Sequence, residues 1–177
     1  GFGAAETAKA LRIGAAVETI VRSDFQSGYD ELRRVLAEYQ GEPWLPFVRG
    51  NVTGIVLHTP ETKLRADGPK LFRGINPDYD PMPVLKALDV PQLWILGGED
   101  IDAPYRETFR RLTALKREGR PISVIVYPDV EHGLYAFETK GEERLSTRQP
   151  ASLRRLIMDF ARGRPLGRRY DNARITR

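Results

Sequence analysis

The chain contains no cysteine, which excludes disulfides and thiol catalysis and leaves the compartment open. No apolar stretch approaches the roughly 20 residues that span a bilayer, and no basic segment followed by an apolar core reads as a signal peptide. No spacing of histidines and carboxylates suggests a metal site, and no glycine-rich loop suggests phosphate binding, so no cofactor is expected. Over most of the length neither sign of charge is in excess. The net charge of +4 resides in the stretch from Gly163 to Arg177, where Arg164, Arg168, Arg169, Arg174 and Arg177 face only Asp171. Residues 1–162 therefore sum to neutrality, which argues against nucleic acid or a membrane as partner, and the tail reads as a solvated or disordered terminus.

What remains is enough for a core: 177 residues, 41% of them hydrophobic. Ala10, Ile13, Val17 and Ile20 recur at helical spacing and predict a helix over Ala4 to Val21, although Gly14 weakens it by about 1 kcal/mol relative to alanine. A second helix is expected from Tyr29 to Tyr39, with Gly41 as its stop signal. Between Glu42 and Asp80 the periodicity breaks down, and Val52 to Leu57 reads equally as a short strand or a helix end. A short helix is expected from Val84 to Leu88.

Order returns at Pro91. Leu93-Trp94-Ile95-Leu96 is a continuous apolar run bounded by proline and glycine, as a buried parallel strand requires. A helix from about Pro104 to Glu118 should follow, with Asp102 as N-cap and Phe109, Leu112 and Leu115 inward. Ser123 to Tyr127 is the next strand. A last helix over Ala151 to Arg162 should bury Leu153, Leu156, Ile157 and Phe160. Strand, helix, strand, loop and helix make a βαβα unit with parallel strands. Two firm strands make a poor sheet by themselves, so more sheet is expected from another piece of protein.

The loops after these strands carry the chemistry. Gly97-Gly98-Glu99-Asp100 follows the first strand and Pro128-Asp129-Val130-Glu131-His132-Gly133 follows the second. Functional groups in open α/β sheets gather beyond the carboxyl ends of the strands. There a carboxylate can fix the tautomer of an imidazole and stabilise its charged form, while the other ring nitrogen serves as general base. Asp100 is the preferred acid; Asp102 is the rival, although it sits where a helix N-cap is wanted. His58 lacks any such context.

Gly97-x-x-Asp100-x-x-Ala103-Pro104, Pro128-x-x-x-His132-Gly133 and the preceding Tyr79-Asp80-Pro81 together resemble the C-terminal part of the α/β-hydrolase fold. Within that fold the motifs resemble those of the dienelactone-hydrolase-like and prolyl-oligopeptidase-like serine hydrolases. The resemblance implies a partial α/β-hydrolase fold over 78–162, preceded by a helical cap-like segment over 1–77 and followed by the basic tail 163–177. It implies Asp100 and His132 as acid and base of a Ser-His-Asp triad acting on an ester or peptide bond. Apart from the resemblance, the aromatic residues Trp44 and Phe47 are candidates for lining a substrate pocket, whereas Trp94 reads as core.

The nucleophile should come earlier in the chain, in a Gly-x-Ser-x-Gly turn that also builds the oxyanion hole. No such turn exists here: Ser23, Ser27, Ser123, Ser146 and Ser152 all lie in other contexts. Val130 also departs from the small residue usual before the one preceding the histidine, and Glu131, which follows it, is expected to face solvent. The expected partner is the absent nucleophile-bearing half, or a second copy, completing the sheet. The chain alone is expected to be catalytically silent. The alternative is a non-catalytic binding or assembly module on a degenerate hydrolase scaffold.

Overall fold

The computed structural model describes residues 3–141, 143–167 and 169–176. Two compact units divide at Asp80 and Pro81.

The first unit is helical. Helix α1 (Ala4–Arg22) buries Ile13, Ala16, Val17 and Ile20 along one stripe, and α2 (Tyr29–Tyr39) turns Leu32 and Val35 inward. A 3-10 turn at Leu45–Phe47 leads to α3 (Val52–His58). The ambiguous segment 52–57 is thus helix, started by the Asn51 side chain, which accepts the Gly54 N–H at 2.8 Å. Helix α4 (Glu61–Leu71) fills a stretch where no periodicity was evident. Phe25 packs beneath it, stacked on Phe72 at 5.0 Å.

The second unit is a sheet covered on both faces. Helix α5 (Met82–Ala87) precedes β1 (Gln92–Gly97), α6 (Tyr105–Arg117), β2 (Ile122–Tyr127), a hairpin of β3 (Phe137–Lys140) and β4 (Glu143–Ser146), α7 (Leu153–Ala161) and β5 (Arg174–Thr176). Strand order is β1-β2-β5, with β1 and β2 parallel and β5 antiparallel to β2. Alternate residues point to opposite faces. Leu93, Ile95, Ile125 and Tyr127 share a cluster with Leu153 and Leu156 of α7, while Trp94, Leu96, Ile122 and Val124 share one with Leu112 and Leu115 of α6. This is the mixed α/β content of a partial α/β-hydrolase fold.

Three expectations need correction. The tail is not a solvated terminus over its described residues: Tyr170 is 1% exposed, Leu166 packs on the α7 cluster, and Arg174–Thr176 forms β5. Arg168 and Arg177 lie outside the described residues. Ile157, expected inside, is exposed, because α7 turns only Leu153 and Leu156 fully to the sheet. Asp102 is not the N-cap of α6. That position falls to Pro104, because the Asp100 carboxylate already holds the Asp102 and Ala103 N–H groups in the preceding turn.

Candidate active site

The register of the parallel pair sets the site. Gly97 lies opposite Tyr127, so the acid loop and the histidine loop leave the sheet at the same level. The loops then touch through backbone. Gly98 N–H donates to Tyr127 O at 2.7 Å, and Glu99 N–H donates to Val130 O at 3.0 Å. This approach requires the Gly97-Gly98 pair. A Cβ at Gly97 would stand 2.6 Å from Glu131 O, and one at Gly98 would stand 2.4 Å from Pro128 O. Both obstacles are backbone atoms and cannot swing aside.

Asp100 is buried and fully engaged. Its Oδ1 accepts the backbone N–H groups of Asp102 at 3.0 Å and Ala103 at 2.8 Å, an Asx-type turn that immobilises the carboxylate. Its Oδ2 meets His132 Nδ1 at 2.9 Å. A carboxylate only accepts, so Nδ1 carries the proton and neutral His132 keeps its lone pair on Nε2. The His132 side chain is 55% exposed, against 9% for that of Asp100. The hydrogen bond to Asp100 raises the imidazole above its usual range against a partial opposing effect of burial. The negative charges of Asp100, Asp102 and Glu131 add to the rise.

The histidine loop is anchored from below by Val130 and Leu134, which pack on the α7 cluster. Leu134 adopts a φ of 59°, the left-handed region that a leucine avoids at a cost of roughly 1–2 kcal/mol. Glu131 does not simply face solvent; its Oε1 accepts the Ser146 hydroxyl at 2.8 Å. That contact comes from the β3–β4 hairpin. Its cue in the sequence is Gly141, at φ 61°, between two short alternating runs.

Trp44 and Phe47 belong to the first unit, where Trp44 is 9% exposed and donates Nε1–H to Glu42 Oε2 at 2.8 Å. His58 Nε2 lies 3.1 Å from Val48 O, a structural contact within the same unit. Of the serines, Ser152 is buried, and its hydroxyl donates to Asp171 Oδ2 at 2.7 Å.

A protein-family model described as the prolyl oligopeptidase family matches residues 58–149, just over half of the chain, and spans both loops. The chain belongs to the prolyl oligopeptidase family. No curated protein and no solved structure matches it. Membership makes the chain a serine-hydrolase-type portion of an α/β-hydrolase fold, and it makes the C-terminal ends of β1 and β2 the place to look for prolyl-oligopeptidase-family chemistry.

Proposed function

We propose that the chain supplies the acid and base of a serine hydrolase acting on ester or peptide bonds, with Asp100 orienting His132 and the nucleophilic serine coming from sequence outside these 177 residues. The observation that carries this reading is the 2.9 Å Asp100–His132 contact at the carboxyl ends of adjacent parallel strands. Nδ1 is tied to a fixed carboxylate and Nε2 is left to take a proton from a serine hydroxyl and return it to the leaving group. The raised imidazole suits a base that must hold that proton through the tetrahedral intermediate.

The sheet supports a partner that brings strands as well as a serine. Strand β2 is buried almost throughout, whereas Gln92 to Leu96 of β1 are only half-buried, and among the described residues β1 has a neighbour on one side only. An apolar strand of this kind is suited to pair on its other edge. That edge also favours the second reading, a binding or assembly module, in which a partner or a second copy pairs there without chemistry. A fluorophosphonate probe and a chromogenic ester separate the two. The chain alone should show neither labelling nor turnover. Joined to a nucleophile-bearing hydrolase half it should show both, and His132→Ala should abolish turnover. A probe-labelled serine within this chain would overturn the proposed division of roles, and silence of the joined protein would favour the binding module.

A further inference from the structure

The β3–β4 hairpin reaches back to both loops of the dyad from a single strand. Arg144 on β4 lays its guanidinium over the Phe137 ring, 4.2 Å from the centroid, and donates Nη1–H to the Glu99 carbonyl at 2.8 Å. Glu99 is the residue before Asp100. Two positions along β4, Ser146 donates its hydroxyl to Glu131 Oε1 at 2.8 Å, and Glu131 is the residue before His132. Alternate residues of a strand share a face, so Arg144 and Ser146 are presented side by side, with Phe137 the cross-strand partner of Ser146.

We propose that Arg144 is a positioning residue for the Asp100–His132 pair. Seated on Phe137, its guanidinium holds the acid loop by the carbonyl next to Asp100, and Ser146 holds the histidine loop from the same strand. The inference rests on the reading of Asp100 and His132 as acid and base. A hydrogen bond from a charged donor is about twice as strong as a neutral one, and the cation–π seat fixes the direction from which it arrives. The backbone bond from Glu99 N–H to Val130 O ties the loops to each other; Arg144 adds a tie from Glu99 to a third element. With the N–H and the carbonyl of Glu99 both held, the Asp100 carboxylate has little room to drift from the imidazole.

The sign of one measurement separates positioning from charge. Asp100, Asp102 and Glu131 are the acidic groups that raise the His132 imidazole. Removing a nearby cation without moving them would raise the His132 titration midpoint further. Loosening the acid loop would lower it, because the hydrogen bond that His132 donates to Asp100 is the largest cause of the rise. The experiment is an NMR titration of the full chain carrying His58→Gln, which leaves His132 as the single histidine. Arg144→Ala is expected to shift the midpoint down. Arg144→Lys, which keeps the stem over Phe137 and one donor, is expected to restore most of that shift. A midpoint in Arg144→Ala that is unchanged or raised overturns the proposal, and so does a lysine variant that falls as far as alanine. Asp100→Asn serves as the reference and should lower the midpoint most. If it does not move the midpoint, the acid–base reading itself fails, a result distinct from failure of Arg144 alone.

Discussion

Asp100 and Asp171 lie in the same unit, and each gathers hydrogen bonds from a neighbouring turn, yet they end in opposite kinds of network. Asp100 spends Oδ1 on two backbone N–H groups and turns Oδ2 to an imidazole whose other nitrogen is free to act. Asp171 takes both the N–H and the hydroxyl of Ser152 on Oδ2, at 2.8 and 2.7 Å. Since the Ser152 proton goes to the carboxylate, the Tyr127 hydroxyl at 3.2 Å donates to Ser152 Oγ, and the chain of bonds ends in a side chain with no exposure at all. The bonds from Ser152 lower the Asp171 carboxyl below its usual value, and burial raises the Tyr127 phenol. Neither group changes charge near neutrality. The arrangement suits a structural role for Ser152 rather than a nucleophilic one: a carboxylate of depressed basicity is a poor base, and Ser152 is buried. What sets the proposed acid apart from Asp171 is the group on its far side.

On the proposed function, the largest effect should come from the pair of aspartate-to-asparagine exchanges in the chain joined to a nucleophile-bearing hydrolase half. Asp100→Asn presents an amide that can turn a donor toward Nδ1 and favour the wrong tautomer, and kcat is expected to fall about 10⁴-fold. Asp171→Asn retains an acceptor for Ser152 and should leave kcat/KM for an ester substrate at the level of the parent. Equal losses in the two variants would erase the distinction drawn between them. Next in size is Gly98→Ala. Its Cβ meets the Pro128 carbonyl at 2.4 Å and must push the acid loop from the histidine loop. A destabilisation of about 1–3 kcal/mol in denaturant melts is expected from such overpacking, accompanied by a fall in the His132 midpoint.

The same contrast separates what is encoded locally in the sequence from what depends on long-range contacts. Strands β1 and β2 and the α6 stripe were legible because apolar runs and helical spacing act locally, and Asp100 and His132 were legible because each follows a strand end. Helix α4 was not, because Gly68-Pro69 reads as a breaker. In the fold the Phe25 ring packs where a Gly68 side chain would stand, with 2.4 Å to an added Cβ. The Arg65 carbonyl that Pro69 cannot serve accepts a long 3.4 Å bond from the Gln26 amide instead. Both compensations come from residues some 40 positions away. Strand β5 was hidden in the same way. Its arginines read as tail, while what orders the segment is long-range: pairing of Ile175 with Ile125, Lys116 Nζ on the Thr176 carbonyl, and the Tyr170 hydroxyl on Asp159 Oδ2. The hairpin that carries Arg144 and Ser146 offered only Gly141 as a local cue.

Smaller effects sharpen the distinction on the Asp171 side. Tyr127→Phe removes one buried hydrogen bond but leaves Ser152 bonded to Asp171, so roughly 1 kcal/mol of stability should be lost. The His132 midpoint should not move. A shifted midpoint would show that the closed network feeds into the open one.

The smallest effects lie in the dependence of stability on pH, and there the two groups have opposite signs. His132 is raised above its ordinary 6.5 in the folded chain. Its protonated form therefore favours folding, with the contribution fully present below about 6.5 and lost as pH rises through the higher folded value. Asp171 is lowered below its ordinary 3.8, so its contribution is present above that value and is lost as pH falls through the lower folded one. Both side chains are largely exposed, which keeps each effect modest. Denaturant midpoints measured from pH 2 to 9 should show a shallow limb at each end. His132→Gln should flatten the limb above neutrality and spare the acid one, and Asp171→Asn should do the reverse. A single variant that flattens both limbs would mean that the two carboxylates belong to one coupled network, and the contrast between an open and a closed aspartate would be lost.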